Sequence, residues 1–350
     1  MSGPISSADL IEEERRQDAC APGDDRRPNA TTPIIAIVGP TASGKSALGI
    51  ELALHLGAEI INCDSVQVYQ RIQIATAKVP PAERRGVAHH LIDFVSPWIN
   101  FTAVDWARSA LEKIKEIEAR GHRVLLAGGT GFYLRSLRQP FFPSPPTDRA
   151  LRERLTRIRE QKGVEHIYEI LSRFDSVEAS KLNPRDWPRI QRAIEFCLQT
   201  GQPISGQRPL RPEPPAIASR IRTLALNPPR TELYNRINER TEQHFASGLV
   251  EEVRQLLGDG VPRKSNALGA HGYRRVVEYL MGERSLESAI EQTKLDVRHY
   301  AKRQLTWFRH QPDVAWVEGF GDDPRVQRSV LETLQTSHKF LAFNKGSSPF

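Results

Sequence analysis

Cysteine is scarce in this 350-residue chain. The three present, Cys20, Cys63 and Cys197, form no C-x-x-C pair and no metal-ligand spacing. That excludes a disulfide framework and a cysteine-based metal centre, and it points to a reduced, cytoplasmic setting. No run of eighteen apolar residues occurs and no signal-peptide core is visible, so the sequence indicates neither a membrane partner nor secretion. Acidic residues are outnumbered: 49 Lys and Arg face 42 Asp and Glu, for a net charge of +7. An acidic macromolecule is therefore a reasonable partner, although charge alone selects none.

One motif is complete. Gly39-Pro40-Thr41-Ala42-Ser43-Gly44-Lys45-Ser46 satisfies G-x-x-x-x-G-K-[ST] at every fixed position. The apolar run Ile34 to Val38 before it reads as a buried parallel strand, and Ala47 to Leu56 after it reads as a helix. Strand, glycine loop and helix start together make a polyphosphate socket of backbone N–H groups. Lys45 adds a point charge, and the Ser46 hydroxyl is the candidate ligand for Mg²⁺.

Further strands are expected at Glu59–Cys63, Val124–Ala127 and Ile221–Leu226. Helices are expected at Val104–Ala119, over one long span from Thr231 to Leu257, and at Tyr273–Met281 and Leu286–Arg309. Strands alternating with helices predict an α/β fold, a doubly wound parallel sheet. In such sheets ligands bind beyond the carboxyl ends of the strands. The phosphate loop, Asp64-Ser65 and Gly128-Gly129-Thr130 all follow strands, so they are expected to share one crevice.

Composition divides the chain further. Residues 1–32 are polar and read as a disordered leader, and 33–139 as the first part of the core. Residues 140–215, bounded by proline-rich stretches, read as a helical, basic insertion whose first helix is capped by Thr147. Residues 216–318 complete the core with C-terminal helices, and 319–350 read as a tail. The histidine pair His89-His90 lacks a third ligand at suitable spacing and is not read as a metal site.

A phosphoryl-transferring enzyme of this type carries a second acid at a strand end. Here Val124–Ala127 runs into glycine, and only Asp64 is placed comparably. Asp64 reads as a metal-associated acid, as a base for an acceptor, or as a turn-former.

Taken in order, the phosphate loop, Asp64-Ser65-Val66-Gln67-Val68-Tyr69, Thr76-Ala77-Lys78 and Gly86 to Asp93 closely resemble the tRNA dimethylallyltransferases. The resemblance continues through Gly128 to Leu134, Asn183-Pro184-Arg185-Asp186, Ala270-His271-Gly272-Tyr273 and Tyr300 to Arg309, spanning roughly residues 33–317. It implies transfer of a dimethylallyl group from dimethylallyl diphosphate to the exocyclic amine of the adenosine immediately 3′ of a tRNA anticodon. Gly39 to Ser46 would then hold the diphosphate, with Mg²⁺ at Ser46. Asp64 would be the general base, and Thr130 would stand beside the reacting centre.

Arg236 or Arg240, four apart on one helix, would complete the clamp. Contacts to the anticodon stem-loop would come from Asp64, Ser65, Val66, Gln67 and Thr130, and from Arg152 and the run Pro188-Arg189-Ile190-Gln191-Arg192. Lys294, Arg298 and Lys302 form a basic stripe at four-residue spacing on the last helix. The chain departs from the family pattern at Ala75, Val79 and His271, and it has no C-terminal cysteine-histidine module. A monomer of bacterial type is expected. The competing readings are a P-loop small-molecule kinase, a transferase acting on free adenine nucleotides, and a non-catalytic RNA-binding module.

Overall fold

The structure, a computed structural model, describes residues 32–336. The expected leader lies almost wholly outside those residues, as do Cys20 and the last fourteen positions, 337–350.

The apolar run at the start of the described chain forms β1 (Ile34–Val38), buried at all five positions. The phosphate loop leads into α1 (Lys45–Leu56), which ends on left-handed Gly57. β2 (Ala58–Asn62) and β3 (His89–His90) follow. α2 (Ala103–Ala119) opens on a capping box between Thr102 and Asp105. Its Trp106 is fully buried and donates to the Asn62 carbonyl at 2.9 Å, tying the helix to the end of β2. β4 (Arg123–Ala127) and α3 (Gly131–Arg138) complete the first half.

The proline-rich connection leads into α4 (Arg149–Phe174), α5 (Ser176–Ala179), α6 (Trp187–Thr200) and α7 (Ile204–Gln207). These helices share an apolar cluster that includes Leu155, Ile167, Leu171, Ile190 and Ile194. Asp148, not the expected Thr147, caps α4: its carboxylate accepts from the Leu151 N–H at 3.1 Å. A carboxylate at the positive end of a helix is favoured over a hydroxyl one residue earlier.

The chain returns through β5 (Ile221–Asn227) and then α8 (Arg230–Ala246) and α9 (Leu249–Gly258). The single long helix expected over Thr231–Leu257 is therefore two. Gly248, at φ +94°, takes a left-handed conformation that breaks it. The turn swings Leu249, Val253 and Leu256 into the core. α10 (Tyr273–Leu280), α11 (Leu286–Arg309), β6 (Val314–Glu318) and α12 (Pro324–Thr336) end the described chain.

Among the described residues, six strands lie parallel in one sheet, ordered β3-β2-β4-β1-β5-β6. Alternate residues of β1 enter opposite layers: Ile34, Ala36 and Val38 face one core, Ile35 and Ile37 the other. The tail expected from residue 319 is corrected, because α12 packs on α1 and β6. Val330, at 1 % exposure, sits in the same layer as Leu48, Leu52 and Val317. The physical cause is an apolar set at Val326, Val330, Leu331 and Leu334, one face of a helix.

Because Val330 is enclosed, Val330→Ala should cost roughly 1–3 kcal/mol, read as a lower urea midpoint with an unchanged slope. An unchanged midpoint would return this segment to the status of a tail.

Candidate active site

Three adjacent strands, β2, β4 and β1, deliver Asp64, the Gly128–Thr130 loop and the phosphate loop to one edge of the sheet. In the phosphate loop Gly44 adopts φ +82°, and a Cβ there would lie 2.6 Å from the Asp322 nitrogen, so only glycine fits. Gly44 also leaves the start of α1 without a side-chain cap. The first N–H groups of that helix thus point into the crevice. Gly39 and Pro40 are buried beneath the loop, and Ser43 is fully buried. Lys45 folds back so that its ammonium donates to the Pro40 carbonyl at 2.6 Å. Burial lowers its pKa to about 8; Asp64 opposes that shift and Arg240 adds to it.

Two cavities meet here. The smaller, about 300 Å³, is lined by Gly44, Lys45 and Ser46 together with Gln67 and Lys78. The larger, about 550 Å³, runs past Phe101, Ile237, Phe245, Leu249, Val297 and Tyr300. Thr41, Ala42, Asp64, Thr76 and Arg240 line both.

Asp64 Oδ1 accepts from the backbone N–H groups of Val66, at 2.9 Å, and Gln67, at 3.4 Å. It is therefore a turn-former as well as a cavity wall. Oδ2 has no hydrogen bond to a described residue. Ser65 and Val66 line the larger cavity, and Gln67 donates to the carbonyls of Thr76 and Ala77 at 3.0 and 3.2 Å. Thr130 Oγ1 accepts from the Ser65 N–H at 2.9 Å and contacts the Ser65 hydroxyl at 3.3 Å. Tyr300 lines the larger cavity along with Thr130, and burial pushes the pKa of its phenol up.

The two arginines of α8 separate. Arg240 enters both cavities, where burial lowers its pKa and the Asp64 charge opposes the shift. His244 accepts from its Nε at 3.4 Å, and burial, followed by the Arg240 charge, lowers that histidine to about 4. Arg236 lines neither cavity. It binds Asp322 at 2.7 and 2.9 Å and lies 3.7 Å above the Phe320 ring. One turn of helix, about 5.4 Å, takes it out of both cavities and onto Asp322, which packs against Gly44.

The residues assigned to RNA contact also divide. Pro188 and Arg189 are exposed, and Arg192 is half-buried. Ile190 and Gln191 are corrected: Ile190 is fully enclosed, and Gln191 donates inward to the Arg152 carbonyl at 3.0 Å. They occupy the core face of α6. Arg152 makes a two-bond pair, at 2.7 and 2.8 Å, with the fully buried Glu195, and stays partly exposed. In the basic stripe, Lys294 is engaged by Glu242 and Glu291 at 2.6 and 2.7 Å, Arg298 is half-buried, and Lys302 is exposed, as is Arg303 beside it. His90 pairs with Glu59 at 2.5 Å, and no metal-ligating group of three His, Cys, Asp or Glu exists among the described residues.

Sequence reading missed Gln304. This buried side chain on α11 accepts from the Thr41 N–H at 2.8 Å and donates to the Gly129 carbonyl at 2.9 Å. A neutral amide 263 residues from its partner leaves no local signal.

A family model described as IPP transferase matches residues 67–311. A tRNA dimethylallyltransferase of Solibacter usitatus (strain Ellin6076) is 42 % identical over 314 residues, 88 % of this chain and 99 % of the relative. One of Geobacter metallireducens is 45 % identical over 303 residues, covering 86 % and 97 %. Among solved structures, the full-length tRNA isopentenylpyrophosphate transferase of Bacillus halodurans aligns with a TM-score of 0.64 at 34 % identity, over 89 % of this chain and 97 % of that one. A eukaryotic dimethylallyltransferase acting on tRNA aligns with a TM-score of 0.72 at 26 % identity, over 91 % and 82 %.

A protonated Lys45 attracts anions, and its pKa near 8 sets when that charge is present. Pyrophosphate affinity is therefore expected to be full below that pH and to fall as pH rises through it. Lys45→Arg, which keeps its charge there, serves as the reference that cancels the ligand's own titration. Calorimetry showing the same pH profile for both proteins would contradict the assignment.

Proposed function

The chain belongs to the IPP transferase family, and from that premise we propose that it moves a dimethylallyl group from dimethylallyl diphosphate to tRNA. The acceptor is the exocyclic amine of the adenosine immediately 3′ of the anticodon, and diphosphate is released. The observation that carries this reading is the junction of a phosphate-loop cavity with a larger, mainly apolar one at Asp64 and Arg240. A kinase site would need a second acid after β4, where this chain has Gly128 and Gly129.

The amides of the phosphate loop, Lys45 and Arg240 hold the diphosphate. The prenyl tail and the extruded adenine occupy the larger cavity, since a base must leave its stack to be modified. The amine nitrogen bonds to the first carbon of the prenyl group as the carbon–oxygen bond to diphosphate breaks. The bonding pair leaves with the diphosphate, and the amine proton passes to Asp64. Thr130, oriented by Ser65, contacts the amine or the leaving oxygen.

Ser46 and Asp64 offer hard oxygen donors, which fit Mg²⁺ because that ion keeps several waters and shares a substrate's phosphate oxygens. Held at Ser46, Mg²⁺ would neutralise charge on the leaving diphosphate.

Residues 140–215 serve as the tRNA-gripping insertion on a core built from 33–139 and the chain after 216. Arg189, with Lys302 and Arg303 of α11, supplies phosphate contacts, whereas Arg192 is engaged by Ser144, the Pro145 carbonyl and Glu195. Arg152 acts chiefly by holding Glu195. The proposed working form is a monomer acting on tRNA in the cytoplasm.

Label from dimethylallyl diphosphate should enter unmodified tRNA but neither AMP nor ATP. Label in AMP or ATP would make it a free-nucleotide transferase. In that assay Asp64→Ala should lower kcat by about 10²-fold or more with tRNA affinity retained. Arg240→Ala should lose about 10²–10³-fold, whereas Arg236→Ala, at a solvent-exposed pair, should change it only about threefold. Equal losses in the two arginine variants would overturn the choice of Arg240.

A further inference from the structure

We infer that Gln304 is a positioning residue that sets the gap between the phosphate loop and Thr130, and with it the line of attack. The inference rests on the reaction proposed above. Gln304 is 4 % exposed and joins the loop after β1 to the loop after β4 with one side chain. Its partners are a backbone N–H and a backbone carbonyl, so the group between them must accept and donate at once. An amide does both in a single orientation. An ionised carboxylate or an alkyl chain cannot.

The glycine opposite is part of the same device. A Cβ at Gly129 would lie 2.1 Å from Gln304 Nε2, so a side chain there would expel the amide. The neighbouring turns of α11 continue the contact. Tyr300, four residues earlier, lines the same cavity as Thr130. Trp307, three residues later, packs so tightly on Gly131 that a Cβ there would lie 2.1 Å from its indole nitrogen. Positions 300, 304 and 307 share one face of a helix and form a rail along the Gly128–Gly131 loop.

The two halves of the reaction stand on the two loops Gln304 connects. The leaving group rests on the phosphate loop, and the acceptor amine rests against Thr130 of the other loop and against Asp64, whose neighbour Ser65 donates to Thr130. Displacement requires the reacting atoms within about 3–3.5 Å and aligned, and a misplacement near 1 Å costs on the order of 10²-fold. The amide also occupies the Thr41 N–H, which directs the diphosphate to the amides farther along the loop.

Gln304→Met removes both hydrogen bonds at similar volume. Its single-turnover rate at saturating substrates should fall about 10²-fold, with tRNA Kd within about twofold and the fold retained by circular dichroism. Gln304→Glu gives a second readout. Ionised, it cannot donate to Gly129; protonated, it donates and accepts as the amide does. Its rate relative to wild type at the same pH should therefore rise as pH falls, and burial brings that carboxyl's titration toward neutrality. A merely structural role would leave that ratio flat.

A wild-type rate in Gln304→Met, a loss of tRNA affinity matching the loss of rate, or a pH-independent Glu-to-wild-type ratio would each overturn the inference. If Gln304→Met does not fold, the pH ratio of Gln304→Glu decides. A wild-type protein that modifies no tRNA would defeat the functional reading, and this inference with it. A fully active Gln304→Met beside an active wild type defeats the inference alone.

Discussion

The parallel alignment of β2, β4 and β1 is the constraint from which the site follows. Parallel neighbours end at the same edge of a sheet, so Asp64, Thr130 and the phosphate loop have no choice but to meet. Burial then does the chemical tuning. Lys45 and Arg240 lose water and stand near one another, and each is made less basic by that loss. Asp64 is the charge that opposes the shift in both. Three cations, Lys45, Lys78 and Arg240, face two carboxylates, Asp64 and Glu83, around the phosphate cavity, so the site is short of negative charge, which a diphosphate supplies.

The same geometry explains why one loop can serve chemistry other than phosphoryl transfer. A phosphate loop is a device for gripping oxygen anions and is indifferent to what the anion is attached to. The wall opposite decides the reaction. Here that wall mixes apolar side chains, Phe101, Ile237, Phe245 and Leu249, with polar ones such as Lys264, Asn266 and His271, and it carries a carboxylate and a threonine rather than paired metal-binding acids.

Much of this was legible in the sequence because it is local. The phosphate loop is one run of eight residues, and strand endings flag Asp64 and Thr130 without reference to distant contacts. What was not legible depends on where elements pass one another. Helical spacing puts Arg236 and Arg240 on one face, but only the path of α8 shows that Arg240 reaches the crevice and that Arg236 meets Asp322. Gln304 is invisible for the same reason. Other differences had a signal that went unread. Ile190 continues the apolar spacing of Ile194 and Cys197 on α6, which marks a core face rather than an RNA contact. The Ser247-Gly248 pair marks a helix stop. The apolar run Val314–Val317 marks a strand inside the expected core, and the helical spacing from Val326 to Leu334 marks an ordered element beyond its expected end.

The central claim is that donor and acceptor meet where the two cavities join. The most direct measurement is a crystal structure of the protein with an anticodon stem-loop and an unreactive thio analogue of dimethylallyl diphosphate. The account predicts the diphosphate on the Gly39–Ser46 loop between Lys45 and Arg240, with the adenine amine within hydrogen-bonding distance of Asp64. An adenine bound elsewhere, or a diphosphate away from that loop, would contradict it.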